Sequence, residues 1–215
     1  MKVMVLAPHG DDEVLGCGGT IAKHIKQKHQ VEVCFLKKHY DKRSLKQYKQ
    51  TYKAQEVLGY QSINFLDIQP KKLASFDLSS VKLLEKYISR NLPDILYIPC
   101  IKDAHQDHQN TVNITSIACR IWGPARVNKI LSCETISSTY NGFNVRGQFT
   151  PTYYNVLDEE CINIKQQALR CYEGELMLFP HPRSIESLLI HAQKRGMECG
   201  AEYAEAFEII RNIQI

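Results

Sequence analysis

The stretch KVMVLA, residues 2–7, is a short apolar run that stops abruptly at PHGDDE, residues 8–13. Its length and its content of valine and leucine are typical of a buried β-strand. A second run, DILYIP at 94–99, has the same character and is soon followed by HQDH at 105–108. Both runs therefore predict buried strands whose ends carry histidine and aspartate.

Apolar runs alternate with helical patterns along the rest of the chain. Further strands are predicted near 31–36, 62–66 and 127–134, and helices near 12–28, 43–58, 79–91 and 108–122. This alternation predicts an α/β fold, a Rossmann-like and mostly parallel sheet with helices on both faces. Downstream we expect a long loop at 135–152, a strand at 153–157, helices at 158–172 and 183–196, and a terminal segment after them. The 215 residues are expected to form one domain, 1–215.

The two polar clusters are expected to meet, because ligands bind outside the carboxyl ends of strands in such a sheet. Two histidines and a carboxylate form an open zinc site with a position for water. The other carboxylate of the Asp11–Asp12 pair would lie beside that water as a candidate base. Taken alone, acidic residues after a strand are also typical of a helix start. Their occurrence together with the second cluster favours a site for hydrolysis.

Both clusters also resemble the motifs of a known family. PHGDDEVLGCGGT at 8–20 and HQDH at 105–108 are similar to the two motifs of the LmbE/PIG-L family of zinc-dependent N-acetylglucosamine deacetylases. Further similarity at AQEVLG, KQQAL and YAEAF extends the resemblance over essentially the whole chain, at 54–59, 165–169 and 203–207. The resemblance implies hydrolytic removal of acetyl from an N-acetylated small-molecule sugar. A glycoside, a nucleotide sugar and a glycan precursor are not separable by sequence.

The resemblance also assigns roles, residue by residue. The positions that match the family's ligands for one zinc ion per chain are His9, Asp12 and His108. Asp11 matches the general base. His105 would hold the oxyanion as a cation, and Asp107 is expected to hydrogen-bond His105 and favour its charged form.

Three places depart from the family pattern. Gly10 stands where the family has proline, and the Pro-Asp-Gly after the third strand is absent. The family's Arg-x-x-Glu corresponds to Gln47 and Gln50. Arg43, one helical turn before Gln47, is predicted to take over the missing substrate contact. Arg183 is a second candidate contact, for a phosphate group on the substrate.

Composition and charge limit the other partners. The net charge is +4, and Lys and Arg concentrate in 23–53. A basic cluster can attract nucleic acid, but its place on two amphipathic helices favours a solvated face, so no nucleic-acid partner is expected. The sequence contains no run of about 18 apolar residues, so no transmembrane segment is expected. Residues 1–10 do not resemble a signal peptide. The eight cysteines form no C-x-x-C pair and are predicted to be reduced thiols of a cytoplasmic protein.

Other functions agree less well with the sequence than deacetylation does. Glycines at 16, 18 and 19 suggest a dinucleotide loop, but they do not fit G-x-G-x-x-G, and close packing of the first helix explains them better. A zinc amidase with a non-sugar N-acyl substrate would use the same centre. A non-catalytic carbohydrate-binding relative is disfavoured because ligands, base and acid are all present. Family members are often oligomers, so the resemblance is compatible with a homo-oligomer.

Overall fold

The strands of this chain form a single mixed sheet in the part that the structure describes. The computed structural model describes residues 1–37, 42–69, 73, 77–143 and 146–214, without the side chains of 42–45 and 47. The strands are β1 (Lys2–Ala7), β2 (Gln30–Phe35), β3 (Ser62–Phe65), β4 (Ile95–Pro99), β5 (Lys129–Cys133), β6 (Tyr153–Leu157) and β7 (Tyr203–Asn212). The helices are α1 (Asp12–Lys26), α2 (Lys42–Leu58), α3 (Leu78–Asn91), α4 (Gln106–Ala118), α5 (Ile136–Thr139), α6 (Glu159–Arg170) and α7 (Ile185–Cys199).

The strand order is β3-β2-β1-β4-β5-β7-β6. Neighbouring strands from β3 to β5 are parallel, whereas β7 runs antiparallel to both β5 and β6. This arrangement confirms the predicted α/β fold with a mostly parallel sheet. It also puts the carboxyl ends of β1 and β4 side by side, because these two strands pair directly.

The apolar run of β1 is continuous because the strand is buried on both faces, as is usual for parallel sheets. Val3 and Val5 belong to one core cluster, which includes Ala168 of α6. Met4 and Leu6 belong to another, together with residues of α3 and α4. Side chains alternate between the faces of a strand, so each face of the sheet has its own core.

The glycines after the first motif allow α1 to pack closely, which confirms that part of the sequence interpretation. A Cβ atom on Gly16 would lie 2.8 Å from Cys133 Sγ, and one on Gly19 would lie 2.4 Å from Leu157 Cδ1. Such distances are too short for a normal contact. The glycines therefore serve helix packing against β5 and β6.

Several boundaries differ from the predictions. The helix expected near 108–122 begins earlier, at Gln106, since His105 caps it by accepting the Asp107 backbone N–H. The segment expected to be a long loop opens with the short helix α5. The terminal segment is the strand β7, which lies between β5 and β6.

Two other expectations concern the environment of the chain. Among the described residues, no helix combines the length and the apolar character needed to span a bilayer. All eight cysteines are free thiols, and six of them are buried.

Candidate metal and catalytic site

The predicted site residues gather at the carboxyl ends of β1 and β4. His9 lies in the turn after β1, and Asp12 is the first residue of α1. His105 caps the N-terminus of α4, and His108 lies in its first turn. The pairing of the two strands thus brings together side chains that are distant in the sequence.

Three of these residues present donor atoms to a common point. Asp12 Oδ2 is 3.0 Å from His9 Nδ1, and Asp12 Oδ1 is 3.2 Å from His108 Nε2. One donor atom from each residue lies within 4.8 Å of the others. Ligands of a tetrahedral zinc ion at about 2.0–2.1 Å are about 3.3 Å apart, which is close to the two distances between Asp12 and the histidines. The donor set N, N, O and its dimensions therefore fit a zinc ion.

The electrostatics of this group favour a cation. Burial alone would lower the pKa of His9, but hydrogen bonds to Asp107 and Asp12 raise it to about 9. Burial would also lower the pKa of His108, but the carboxylates of Asp12 and Asp103 raise it well above its usual value. Positive charge is thus strongly stabilised here. A metal ion would replace the protons on the two facing ring nitrogens.

Asp103 is a site residue that the sequence interpretation missed. It is 1% exposed, and its Oδ2 lies 3.1 Å from His108 Nδ1, within ion-pair distance. The same oxygen accepts hydrogen bonds from Ser138 and Thr139 of α5, each at 2.8 Å. Histidine ligands commonly donate their second ring N–H to such a carboxylate. The only feature of the sequence that could have indicated this role is the position of Asp103, two residues before the HQDH motif.

Asp11 precedes Asp12 directly, and one of its carboxylate oxygens faces Arg183. Its backbone is left-handed, with φ 95°. Its Oδ2 is buried without a hydrogen-bond partner among the described residues and lies 3.6 Å from Arg183 Nη1. Burial and the neighbouring charge of Asp12 raise the pKa of Asp11 well above its usual value. A carboxylate with a raised pKa is suited to accept and return a proton.

Glu13 stabilises this turn from within the core. Its Oε2 accepts the Asp11 backbone N–H at 3.1 Å, and its Oε1 accepts the Tyr172 hydroxyl at 2.6 Å. Glu13 is fully buried, and burial raises its pKa to about 7. These contacts give Glu13 a structural role in the turn.

The partners of Asp107 differ from the expectation. Its carboxylate accepts a hydrogen bond from Lys37 and lies 2.8 Å from His9 Nε2, but it is 4.0 Å from His105 Nδ1. His105 Nδ1 instead accepts the Asp107 backbone N–H at 3.1 Å. Burial and the neighbouring His9 and His108 lower the pKa of His105. The expected hydrogen bond from a charged His105 to the Asp107 carboxylate is therefore absent, because that carboxylate contacts Lys37 and His9 instead.

The two predicted substrate contacts have different outcomes. Arg183 reaches the site, where it donates to Glu175 Oε2 at 2.6 Å and to Ser137 Oγ at 3.3 Å. The side chains of Arg43 and Gln47 lie outside the described residues, so that exchange of roles stays a prediction.

Fold and site together define an α/β protein with a group of potential metal ligands at the carboxyl ends of its strands. The family described as "PIG-L: GlcNAc-PI de-N-acetylase" matches residues 4–119, more than half of the chain. The chain belongs to this family of de-N-acetylases.

Solved structures with the same fold include both deacetylases and a different enzyme. The conserved protein TT1542 from Thermus thermophilus is 21% identical, with 99% of this chain and 96% of that chain covered and a TM-score of 0.82. The N,N'-diacetylchitobiose deacetylase from Pyrococcus horikoshii is 20% identical, with 97% and 83% covered and a TM-score of 0.78. The 4-carboxy-2-hydroxymuconate hydratase from Pseudomonas putida is 17% identical, with 100% and 98% covered and a TM-score of 0.75. Such likeness shows the fold, so the reaction must be argued from residues.

Proposed function

We propose that this chain is a zinc-dependent hydrolase that removes the acetyl group from an N-acetylated sugar. The observation that carries this proposal is the convergence of the donor atoms of His9, Asp12 and His108, with the buried Asp11 next to Asp12 in the sequence. Membership of a family of de-N-acetylases supports the amide as the bond that is broken. One ion per chain, a single domain over 1–215 and a reducing, cytoplasmic location belong to the same proposal.

His9, Asp12 and His108 would hold the ion. A zinc ion there would supply activation of water and polarisation of the amide carbonyl. Asp11 would accept a proton from the attacking water at its own Oδ2, which has no hydrogen-bond partner in the part of the chain that the structure describes. The same proton would then pass to the departing amine, so that water is added across the C–N bond and acetate leaves.

His105 would donate a hydrogen bond to the carbonyl oxygen as it becomes negative. Because its Nδ1 accepts the Asp107 backbone N–H, the neutral ring carries its proton on Nε2. The side chain is 47% exposed and so is accessible to a substrate. This neutral donor replaces the cation expected from the sequence. Arg183, beside Asp11, would contact the sugar or an attached phosphate.

The test is acetate release by the zinc-loaded protein. The panel should contain N-acetylglucosamine, a glycoside of it, a nucleotide sugar that contains it and an N-acetylated amino acid. We expect release from at least one sugar and loss of that activity after zinc is removed by a chelator and in His108→Ala. An intact far-ultraviolet circular dichroism spectrum would show that the variant is folded.

Two outcomes would contradict the proposal. Release from the N-acetylated amino acid alone would favour the amidase with a non-sugar substrate. Sugar binding without acetate release by the zinc-loaded protein would favour the non-catalytic carbohydrate-binding relative.

A further inference from the structure

A second set of potential cation ligands lies beside the first. His9 Nε2 is 2.8 Å from Asp107 Oδ2, and His105 Nδ1 is 4.0 Å from the same oxygen. One donor atom from each of these three residues lies within 4.8 Å of the others. His9 belongs to both sets, with Nδ1 towards Asp12 and Nε2 towards Asp107. Two imidazoles and a carboxylate are again donors that zinc accepts.

A lysine side chain points into this second set. Lys37, which comes shortly after β2, donates to Asp107 Oδ2 and lies 3.4 Å from His9 Nε2. Its side chain is only 18% exposed. The ammonium group thus stands where the carboxylate and the imidazole converge. It supplies a single positive charge at a place where a bound cation would supply two.

We propose that His9, His105 and Asp107 form a second, weaker site for a divalent cation, and that the Lys37 ammonium competes for it. At low zinc concentration the Lys37 ammonium occupies the second site, so that the protein binds one ion. At excess zinc a second ion displaces the ammonium. That ion would occupy His105, block access to the first ion and so inhibit the enzyme. The inhibition rests on the proposed function, whereas the binding of the second ion does not.

The chemistry of the ligands explains why the second ion binds more weakly. When Nδ1 of His9 serves the first ion, the remaining ring proton is on Nε2, facing Asp107. A second ion would have to replace that proton, which would pass to water. His105 Nδ1 must also exchange the hydrogen bond from the Asp107 backbone N–H for the ion. Both exchanges oppose binding, in addition to the repulsion between the ion and Lys37.

The experiment measures bound zinc per chain by equilibrium dialysis and elemental analysis, over rising free zinc. Lys37→Met keeps a side chain of similar length and removes the charge. We expect wild type to take up its second ion only at high free zinc. Lys37→Met should take up the second ion at a free zinc concentration at least about tenfold lower than wild type needs, because the repulsion from the ammonium group is gone. Inhibition of acetate release should shift to lower zinc in parallel.

Matched variants separate this site from general effects of charge. Lys102→Met removes another partly buried lysine that pairs with a carboxylate, Glu208, and should bind zinc as wild type does. Lys37→Arg keeps the positive charge and should also resemble wild type. Adding His105→Ala to Lys37→Met should remove the second ion and leave the first. Lys37→Gln provides a second neutral variant if Lys37→Met does not fold.

The proposal is overturned if the neutral Lys37 variants and wild type both hold one ion up to millimolar zinc. It is equally overturned if the second ion persists after His105→Ala, since the ion would then be bound elsewhere. Absence of any bound zinc from wild type would overturn the first metal centre together with the second. Intact zinc binding without acetate release would contradict only the proposed function.

Discussion

At the scale of single residues, the adjacent carboxylates of Asp11 and Asp12 have different surroundings because the backbone turns them apart. Asp12 faces the two imidazoles, whereas Asp11 faces the guanidinium of Arg183. The left-handed φ of 95° at Asp11 makes this divergence feasible within two consecutive residues. Aspartate and asparagine tolerate that conformation better than most residues. An Asp11→Asn substitution should therefore preserve the turn.

We expect Asp11→Asn to keep its zinc and to lose about a hundred- to ten-thousand-fold in kcat, the usual effect of losing a general base. The reason is that Asn cannot take the proton of the water, while the three ligands are untouched. Acetate release and elemental analysis on the same preparation check both parts. Asp67→Asn is a matched control, because Asp67 is exposed and also left-handed, with φ 60°. Near-normal turnover by zinc-loaded Asp11→Asn would show that another residue activates the water.

The sequence predicts the candidate ligands His9, Asp12 and His108 because two short motifs follow two recognisable strands. It does not predict Asp103 or Lys37, because their roles depend on contacts that only folding creates. Asp103 is held by hydroxyls of α5, and Lys37 reaches Asp107 from the end of β2. The partners of Asp107 also depend on folding. The motif predicts a hydrogen bond with His105, whereas the carboxylate contacts Lys37 and His9. Spacing within a motif cannot show a competing side chain from a neighbouring strand.

At the scale of elements, α1 contains a break whose polar groups are satisfied by other elements. Cys17 has φ −152° and ψ 26°, which is not helical. The backbone N–H groups of Gly19 and Thr20 donate to Glu205 of β7, at 3.0 and 2.7 Å. Lys165 of α6 donates to Leu15 O at 3.1 Å and to Glu205 Oε1 at 2.5 Å. The buried Lys165–Glu205 pair thus stabilises the helix that carries Asp12.

We expect Lys165→Met to lower the free energy of unfolding by about 3–5 kcal/mol, as is typical when one partner of a buried ion pair is removed. The cause is the uncompensated charge on Glu205, since both side chains are almost fully buried. Urea denaturation measures the change. Adding Glu205→Gln should restore part of the stability, because the buried charge is then gone.

Lys26→Met is the control for this prediction. Lys26 also pairs with carboxylates, those of Asp158 and Glu160, but it is half-exposed, so its loss should change stability little. If Lys165→Met and Lys26→Met behave alike, the buried pair does not stabilise α1 as inferred.

Buried glutamates explain why β7 was not predicted as a strand. The sequence YAEAFEIIRN carries Glu205 and Glu208 at buried positions, so it lacks a clear alternation of apolar and polar residues. Each glutamate is buried with a lysine partner, Lys165 or Lys102. The strands β1 and β4 were predictable because their apolar runs need no such partner. Insertion of β7 between β5 and β6 is a long-range feature that local patterns do not contain.

At the scale of the whole molecule, α1 connects the candidate site at one end of the sheet with a buried histidine at the other. His24 lies near the end of α1 and is 6% exposed. Its Nε2 is 2.9 Å from the Tyr97 hydroxyl, and its Nδ1 is 2.9 Å from His29 Nδ1. Burial, followed by the positive charges of His29, Lys23 and Lys129, lowers the pKa of His24 to about 4. The folded protein therefore keeps His24 neutral in mild acid.

This lowered pKa predicts a loss of stability in acid. Above pH 6.5, the pKa of His24 in the unfolded chain, both states are neutral and the stability is complete. As the pH falls from 6.5 towards 4, the unfolded chain binds a proton that the folded protein excludes, so stability is lost progressively. Each pKa unit corresponds to about 1.4 kcal/mol, so the full loss is about 3 kcal/mol. His24→Gln cannot bind this proton and should lack that part of the loss.

Urea unfolding of metal-depleted protein at about pH 7.5 and pH 4.5 tests this. Metal is removed so that protons on His9 and His108 do not compete with bound zinc. Wild type should lose about 2–3 kcal/mol more than His24→Gln between the two pH values. His181→Gln, which changes an exposed histidine, should follow wild type. An equal loss in wild type and His24→Gln would mean that the proton is bound in the folded state as readily as in the unfolded chain, with His24 charged against Tyr97 and His29.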